Sequence, residues 1–359
     1  MDVLDRWRQP EQWRKPGRIA LANMRAVRPD DPMLAALSDA GAELVPAPLR
    51  DQDGRVSREI AEADVVVSGG ARLDREFFAE LQTTRLLLRP YVGYDDIDVD
   101  GATEQGVLVA NVPDAITEDV ANQTMALIIA ANREVLRLDR YVRDGSWHRN
   151  KVRTPEGMKL YRPTVQTLGL VGFGNIAQAV AKRARPFGYR IVAHDPFIPP
   201  EVAAQQDVAL LPLDDLLREA DVVSIHVFLS PQTRHMIDAD KLALMKPTAW
   251  IVNTARGPVI DEEALIAALH NGTIAGAGLD VMEVEPLDPQ SPLITMENVI
   301  LAPHVAGYSE QGVSQLRSRA AEIALQVALG GLPQRHVVIN KGLYDQLAAL
   351  PELAAVPRP

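Results

Sequence analysis

A glycine-rich turn between an apolar run and an alanine-rich segment constrains the fold of this chain most strongly. The run Leu168–Val171 leads directly into Gly172, Phe173, Gly174, Asn175, Ile176 and Ala177. Gly172 permits a tight turn, Gly174 lets the backbone approach a pyrophosphate, and Ala177 is small enough for close packing of helix on strand. The helix N-terminus offers unpaired N–H groups to that anion, so Asn175 and Ile176 are predicted to lie beside it.

An acidic residue follows the next predicted strand, Arg190–His194, roughly twenty residues past the turn. A carboxylate at Asp195 would accept hydrogen bonds from a ribose diol and would repel a 2′-phosphate. The sequence therefore predicts NAD rather than NADP as the cofactor. A glycine turn also occurs where no ligand binds, so strand, turn, helix and distal acid carry this prediction together.

Composition limits the class of protein. The chain has 359 residues, enough for two domains with separate cores, and its formal charge of −11 argues against a nucleic-acid partner. It has no cysteine, which excludes disulfides and thiolate zinc sites, and its seven histidines form no helical pair that would bind a metal. No apolar run reaches the roughly 18 residues of a membrane span. We therefore expect a cytoplasmic protein with a small-molecule substrate and no membrane partner.

Short apolar runs alternate with helical stretches, as is typical of α/β folds with parallel sheets. In the first third the predicted strands are Arg18–Leu21, Leu44–Ala47, Val65–Ser68, Leu86–Arg89 and Val107–Ala110. A second series comprises Thr167–Val171, Arg190–His194, Val222–His226, Ala249–Asn253, Ala275–Val281 and Val299–Ala302. Between the two series, one long helix is predicted from Thr117 to Gly145.

The position of the glycine turn determines the predicted domain organisation. The turn opens the second series of strands and not the first, so the first domain must be split between both ends of the chain. We predict two doubly wound parallel-sheet domains. A Rossmann NAD-binding domain, residues 117–308, is inserted in a flavodoxin-like substrate domain made of residues 1–116 and 309–359.

Three predicted strand ends carry side chains suited to a 2-oxo acid. They are the segments Asn253–Gly257, Asp280–Pro286 and Pro303–Gly307. Reduction of a ketone leaves charge on oxygen, so an acid must supply a proton, and His304 is ionisable near neutral pH. Glu285 would orient the imidazole and raise its pKa, while Arg256 would bind the substrate carboxylate and polarise the carbonyl. Taken singly, each of these residues is better explained as an ordinary turn or loop residue, so the prediction depends on the three together.

Together, these segments resemble the D-isomer-specific 2-hydroxyacid dehydrogenase family. The motifs are V-N-T-A-R-G, L-D-V-x-E-x-E-P and A-P-H-x-A-G, and the resemblance runs from about residue 89 to 340. It is nearest to the phosphoglycerate-dehydrogenase-like and C-terminal-binding-protein-like branch. The resemblance implies NAD-dependent interconversion of a 2-oxo acid and a D-2-hydroxy acid, with Arg256, Glu285 and His304 as the catalytic triad. It also implies a homodimer built through the nucleotide domain.

The resemblance also implies residues around the substrate and the cofactor. The segment Arg89–Asp98 is similar to the family's substrate loop, with Arg89, Tyr91 and the backbone of Val92 and Gly93 at the substrate. Further cofactor contacts are implied at Thr124, His226, Thr233, Thr254, Ala255, Asp280 and Gly307. For these positions a purely structural role stays equally open.

The sequence departs from the family pattern at two loops. Phe228 stands where the adenine-side loop usually has Pro, so we expect added apolar contact with adenine. Tyr91 stands where the substrate loop usually has Gly, so we expect a narrower pocket mouth.

Two other functions stay open. One is an NAD-sensing scaffold like the related corepressors, which retain the triad. The other is a formate- or phosphite-oxidising relative, although Glu285 stands where formate enzymes carry Gln.

Overall fold

The computed structural model describes residues 4–8, 17–23 and 31–354. The chain divides into two compact units, of which unit 1 comprises Met1–Ile116 with Ser309–Pro359 and unit 2 comprises Thr117–Tyr308. The outer limits of the predicted substrate domain, residues 1 and 359, lie outside the described residues. Each unit contains a parallel sheet with helices, so the predicted α/β class with two parallel-sheet domains is confirmed.

Twelve strands occur in the part of the chain that the structure describes. They are β1 (Arg18–Ala22), β2 (Glu43–Ala47), β3 (Val65–Ser68), β4 (Leu86–Leu88), β5 (Leu108–Ala110), β6 (Thr167–Val171), β7 (Arg190–His194), β8 (Ala209–Leu210), β9 (Val222–Ile225), β10 (Trp250–Asn253), β11 (Gly276–Leu279) and β12 (Val299–Leu301). Eleven of them match predicted strands to within two residues at each end. The two-residue strand β8 was not predicted, because it is too short to show a periodic pattern.

The α-helices of the same residues number fifteen. They are α1 (Pro32–Asp39), α2 (Arg58–Ala61), α3 (Arg75–Ala79), α4 (Val99–Glu104), α5 (Thr117–Asn132), α6 (Val135–Arg143), α7 (Ser146–Asn150), α8 (Asn175–Ala184), α9 (Pro200–Ala204), α10 (Leu213–Glu219), α11 (Ala239–Leu244), α12 (Glu262–His270), α13 (Glu310–Ala328), α14 (Lys341–Ala348) and α15 (Pro351–Ala354). Short 3₁₀ turns join several of them.

The single long helix predicted from Thr117 to Gly145 is wrong. The chain forms α5 and α6 instead, and Glu134 between them adopts a left-handed backbone with φ 47°. A left-handed residue interrupts the hydrogen-bond ladder of a right-handed helix. The sequence has no Gly or Pro at this point, so the break carries no local signal.

Unit 1 has a five-stranded parallel sheet in the order β2-β1-β3-β4-β5. This is the flavodoxin-like doubly wound order. Its strands are apolar on both faces: Leu86 and Leu88 belong to the core with Leu316 of α13, whereas Leu87 belongs to the core with Phe77 of α3. Burial on both faces is what parallel sheets require.

Unit 2 has a seven-stranded parallel sheet in the order β12-β11-β10-β9-β6-β7-β8. The strand order reverses at β6, which pairs with β7 on one side and β9 on the other. Leu168 and Leu170 pack with α5 and α8 on one face, and Val171 packs with the core on the other. In open α/β sheets, ligands bind outside the carboxyl ends of the strands at such a reversal.

Candidate active site

The predicted glycine turn joins β6 to α8 at the reversal of the unit 2 sheet. Gly172 has φ 92°, and its N–H donates to the carbonyl of His194 at 2.8 Å. A Cβ on Gly172 would lie 2.7 Å from the His226 carbonyl oxygen, so a side chain there would collide with backbone. Gly174 is the N-cap of α8, and apart from Gly174 itself and its two chain neighbours no described residue has a heavy atom within 4 Å of where its Cβ would stand. Backbone N–H groups therefore face an open cradle of the kind that accepts a pyrophosphate.

Asp195 and the loop after β9 flank this turn. One carboxylate oxygen of Asp195 accepts the Phe173 N–H and the other accepts the Phe197 N–H, each at 2.9 Å. The side chain thus braces the glycine turn while it remains partly exposed to solvent. Nε2 of His226 lies 2.9 Å from the Ser224 hydroxyl, and burial lowers the pKa of His226 to about 3. This imidazole is therefore neutral at pH 7.

The loop after β9 is closed by Thr233. Its hydroxyl donates to the Phe228 carbonyl at 2.5 Å and lies 2.8 Å from the Ser230 N–H, which it accepts. The hydroxyl is therefore engaged within the loop. Phe228 itself is 67% exposed, and Phe197, beyond β7, is also exposed. The two strands that flank β6 are thus each followed by an aromatic ring at the surface.

The turn after β10 carries Arg256. The Asn253 side chain shapes this turn, because its Oδ1 accepts the Ala255 N–H at 3.0 Å and its Nδ2 donates to the Arg256 carbonyl at 2.9 Å. A Cβ on Gly257 would overlap the Met282 carbonyl, so the turns after β10 and β11 lie against each other. No role was predicted for Asn253, although it is part of the motif that contains Arg256.

His304 and Glu285 form a direct pair. Nδ1 of His304 lies 2.7 Å from Oε2 of Glu285, and Oε1 of Glu285 accepts the Met282 N–H at 3.1 Å. The hydrogen bond to Glu285 raises the pKa of His304, against opposing contributions from desolvation and from the charge of Arg256. Burial alone would raise the pKa of Glu285, but the hydrogen bonds from His304 and Met282 outweigh it and lower this pKa. Both shifts favour an imidazolium–carboxylate pair.

Asp280 supports the turn that presents His304. It is completely buried, and its carboxylate accepts the N–H groups of Val305 at 3.0 Å and Ala306 at 2.8 Å. Its backbone carbonyl accepts the His304 N–H at 2.7 Å. His304 has a left-handed backbone with φ 54°, which costs on the order of 1–3 kcal/mol in a non-glycine residue. Three hydrogen bonds to one aspartate therefore hold a strained turn, and Gly307 lies at its end.

The remaining implied cofactor positions in unit 2 are Thr124, Thr254 and Ala255. The hydroxyls of Thr124 and Thr254 are buried and lie 2.8 Å apart, and Thr124 also donates to the Val120 carbonyl. Their hydrogen bonds connect α5 to the turn after β10. The Ala255 carbonyl accepts a hydrogen bond from Nη1 of Arg256 at 2.7 Å. These contacts establish a structural role for all three residues.

In unit 1, the implied substrate segment follows β4. Arg89 is 2% exposed, and its Nη2 donates to Oδ1 of Asp96 at 2.7 Å. The Asn111 side chain donates to the Val92 carbonyl at 2.6 Å, and the Val112 N–H donates to the Tyr91 carbonyl at 3.1 Å. The backbone of the substrate segment is thus tied to the chain that follows β5, while Tyr91 is exposed and Gly93 is partly exposed. The ion pair with Asp96 was not predicted, because its two residues are seven positions apart in a loop.

Two further features are absent from residues 4–8, 17–23 and 31–354. Within these ranges, no group of three or more His, Asp or Glu side chains is arranged to hold a metal ion. No helix there is both long and apolar enough to cross a membrane.

The family model for the D-isomer specific 2-hydroxyacid dehydrogenase NAD binding domain matches residues 125–306 of this chain. The match includes the glycine turn, Asp195, Arg256, Glu285 and His304. Of unit 2, only the ten residues 117–124 and 307–308 lie outside the matched range, so the match covers nearly the whole of this unit.

Individual relatives extend the similarity into unit 1. The glyoxylate reductase of Korarchaeum cryptofilum is 44% identical over 262 residues, which are 73% of this chain and 78% of that protein. The D-3-phosphoglycerate dehydrogenase of Methanocaldococcus jannaschii is 41% identical over 294 residues, which are 81% of this chain and 55% of that protein. Among solved structures, D-lactate dehydrogenase from Aquifex aeolicus, complexed with NAD and lactic acid, is 28% identical with a TM-score of 0.73. The matched region is 86% of this chain and 94% of the Aquifex aeolicus chain.

Proposed function

We propose that this chain reduces a short 2-oxo acid such as glyoxylate to the 2-hydroxy acid. The premise is that the chain belongs to the D-isomer specific 2-hydroxyacid dehydrogenase family and is an NAD-dependent oxidoreductase. The observation that carries this proposal is the pair of His304 and Glu285, 2.7 Å apart, at the carboxyl ends of two neighbouring strands. The similarity to a glyoxylate reductase supports a substrate with a short carbon chain.

His304 is the proposed acid of the reaction. Nδ1 of the ring is engaged by Glu285, which leaves Nε2 to give its proton to the carbonyl oxygen of the substrate. The raised pKa of His304 keeps the ring protonated to a higher pH than an isolated histidine. NADH, when held at the glycine turn, would supply the hydride for the carbonyl carbon. Hydride and proton together convert the ketone or aldehyde into an alcohol, and the reverse reaction returns both.

Arg256 is the proposed partner of the substrate carboxylate. Its turn is shaped by Asn253 and lies against the turn that leads to Glu285. A guanidinium can hold a carboxylate by two parallel hydrogen bonds, which fixes the orientation of the neighbouring carbonyl. From the family resemblance, we propose that the backbone of Val92 and Gly93 contacts the substrate and that Tyr91 limits its size. These roles are predictions from the family resemblance.

The glycine turn and Asp195 fit the NAD that the family uses. The cradle at Gly174 and the N-terminus of α8, with Asn175 and Ile176, would hold the pyrophosphate. Asp195 would bind the adenosine ribose, and its negative charge would disfavour a 2′-phosphate. Phe228 would contact the adenine. Asp280, His226 and the threonines Thr124, Thr233 and Thr254 would act by holding these turns in place.

Steady-state assays test the proposed reaction. The protein is incubated with NADH and, separately, with glyoxylate, pyruvate and hydroxypyruvate, and loss of NADH absorbance is followed. Saturable turnover with at least one acid is expected. Tight NADH binding without turnover on any acid would favour the scaffold function. Reduction of NAD by phosphite or formate, with no reaction on the 2-oxo acids, would favour an oxidising relative.

A second copy of the chain is the proposed partner of α6 and α7. Val135, Leu136, Val142 and Trp147 are each about half exposed, and no residue of either helix is buried. A cluster of exposed apolar side chains of this kind is typical of a subunit interface. Light scattering after gel filtration should give a dimer for the wild type and a monomer for Val142→Glu, with Val165→Glu on another exposed segment as the control. A monomeric wild type would contradict the proposal.

The cytoplasmic location remains a prediction from the sequence.

A further inference from the structure

A cavity lies between α8 and the end of α9 in unit 2. Both helices pack through alanines against the sheet, since Ala181 of α8 and Ala203 of α9 belong to the core that contains Leu168. Positions 178, 182 and 185 are four and three residues apart, so their side chains share one face of α8. This α8–α9 cavity has a volume of about 370 Å³, enough for a small ligand, and is lined by Gln178, Ala179, Lys182, Arg185, Gln205 and Gln206.

The α8–α9 cavity is positively charged. Lys182 and Arg185 are exposed, neither forms an ion pair within the described residues, and no carboxylate lines the cavity. In the same unit, Lys241 and Lys246 instead pair with carboxylates at 2.6 and 2.8 Å. Two uncompensated cations that share a cavity are notable in a chain whose formal charge is −11. Lysine and arginine are the side chains that bind phosphate groups, and two positive charges match a phosphate dianion.

The α8–α9 cavity is separate from the cradle at the glycine turn. Lys182 comes eight residues after Gly174. At 1.5 Å per residue, this separates the two residues by about 12 Å along α8. The Debye length at physiological ionic strength is about 8 Å, so exposed charges at the two places are largely screened from each other. An anion in the cavity would therefore leave the pyrophosphate position free and would repel a pyrophosphate only weakly.

Three hydrogen bonds connect the α8–α9 cavity to the glycine turn. Nη2 of Arg185 donates to the Gln206 carbonyl, and Nε2 of Gln206 donates to Oε1 of Gln178 at 2.7 Å. Nε2 of Gln178 donates in turn to the Phe173 carbonyl at 3.0 Å. Phe173 lies between the two glycines of the turn. The side chains suited to an anion are thus bonded, through two glutamines, to the segment suited to the cofactor.

We propose that the α8–α9 cavity binds a phosphate group, free or carried by a small organic molecule, and that this binding strengthens the binding of NADH. Lys182 and Arg185 hold the phosphate group. An anion on Arg185 fixes the guanidinium against the end of α9, which stabilises the hydrogen bonds that run through Gln206 and Gln178 to the glycine turn. A turn that is already ordered loses less conformational freedom when the cofactor binds, so the affinity for NADH rises.

Calorimetric titration tests the binding of phosphate. Inorganic phosphate and glycerol 2-phosphate are titrated, at constant ionic strength, into protein saturated with NADH, so that the cradle at the glycine turn is already occupied. Saturable binding is expected, and the tighter of the two probes identifies whether the ligand is free phosphate or an organic phosphate. Glycerol should not bind. A wild type that binds neither phosphate would overturn the proposal.

A pair of double variants locates the bound phosphate. Lys182→Gln with Arg185→Gln should weaken phosphate binding at least about tenfold, because two charge-assisted hydrogen bonds are lost. Arg153→Gln with Lys159→Gln is the matched control, since both residues are exposed in the segment between α7 and β6 and the charge change is the same. The control should bind phosphate like the wild type. Equal affinities for the wild type and the Lys182 and Arg185 variant would place the anion elsewhere and overturn the site.

Fluorescence titration of NADH, with and without saturating phosphate, measures the connection to the cofactor. Phosphate should lower the Kd of NADH about fivefold in the wild type, the lower end of usual coupling between sites. Gln206→Leu removes the bond to Gln178 but keeps the carbonyl that accepts from Arg185, so phosphate should bind and the Kd of NADH should no longer respond. Gln205→Leu, in the same cavity, should respond like the wild type.

A purely structural role of the two cations predicts a different result. If Lys182 and Arg185 only balance the negative C-terminal end of α8, their replacement would change thermal unfolding, and phosphate would leave the Kd of NADH unchanged. That unchanged Kd in the wild type would overturn the connection to the glycine turn. None of these measurements uses a 2-oxo acid, so their outcome is independent of the proposed reaction.

Discussion

The carboxyl edges of the two sheets both carry polar side chains, but they differ in how these side chains are bonded. In unit 2, Asp280 accepts two N–H groups with its carboxylate, and Glu285 accepts one from His304 and one from Met282. In unit 1, Ser68 and Nε of Arg89 have no partner among the described residues. Side chains whose hydrogen bonds are all made within the protein are held in place before a substrate binds, as catalysis requires. Buried polar atoms without a partner are instead available to bind a polar group of a ligand.

The largest expected effect is on the fully bonded edge, at the residue that transfers the proton. His304→Ala should lower kcat roughly 10²- to 10⁴-fold, because a positioned acid contributes about that much to the rate. NADH affinity, measured by fluorescence titration, should change little. His270→Ala, at the exposed end of α12, is the control and should be fully active. If the turnover of His304→Ala is within a few fold of that of the wild type, His304 is not the acid of the reaction.

The pair of His304 and Glu285 makes the rate depend on pH in a stated direction. Glu285 raises the pKa of His304, so Glu285→Gln should lower that pKa. Because reduction needs the protonated ring, its rate falls as pH rises through this pKa, and the variant should lose activity at a lower pH. Above its pKa, each unit of downward shift lowers the reduction rate about tenfold. Alcohol oxidation needs the neutral ring and should extend to lower pH.

The pH profiles of kcat/KM in both directions measure this effect. Glu283→Gln is the matched control, because Glu283 is two residues away and pairs with His235 instead of His304. Profiles of Glu285→Gln that superimpose on those of the wild type would show that the pair does not control the acid.

Asp280 and Ser68 allow the two edges to be compared by stability. Asp280→Asn replaces one acceptor oxygen with an N–H₂ group that faces a backbone N–H, in a completely buried position. Loss of a hydrogen bond to a charged group should lower the free energy of unfolding by about 1.5–3 kcal/mol, measured by urea denaturation. The control Asp288→Asn, in an exposed loop, should change the free energy of unfolding by nearly zero. An unaffected Asp280→Asn would mean that the turn of His304 is held by other contacts.

The smallest expected effect is at the incompletely bonded edge. Ser68→Ala removes a buried hydroxyl that has no partner, so the free energy of unfolding should stay constant or rise by less than about 1 kcal/mol. Ser57→Ala is the matched control in the same unit, since the Ser57 hydroxyl is also buried but donates to the Pro48 carbonyl at 2.7 Å. That control should lose about 1 kcal/mol. A larger loss for Ser68→Ala than for Ser57→Ala would show that Ser68 is bonded in solution.

Much of the unit 2 site could be predicted because its signals are local in sequence. The glycine turn, Asp195 and the three segments that contain Arg256, Glu285 and His304 each follow a recognisable apolar strand, and parallel strands bring their carboxyl ends to one edge. The bonding of Asp280 could not be predicted in the same way. Its partners Val305 and Ala306 are 25 and 26 residues away, and backbone N–H groups carry no residue-specific signal.

The sequence by itself determined the α/β class, the extent of eleven strands and the residues proposed for chemistry, because these depend on periodicity and on short motifs. Only the tertiary structure decided which polar groups are bonded to each other. The break at Glu134, the pairing of Arg89 with Asp96 and the unpartnered hydroxyl of Ser68 arise from packing between segments that no local pattern connects. Burial and hydrogen bonding depend on which segments the fold brings together. They distinguish the carboxyl edge of the unit 1 sheet from that of the unit 2 sheet.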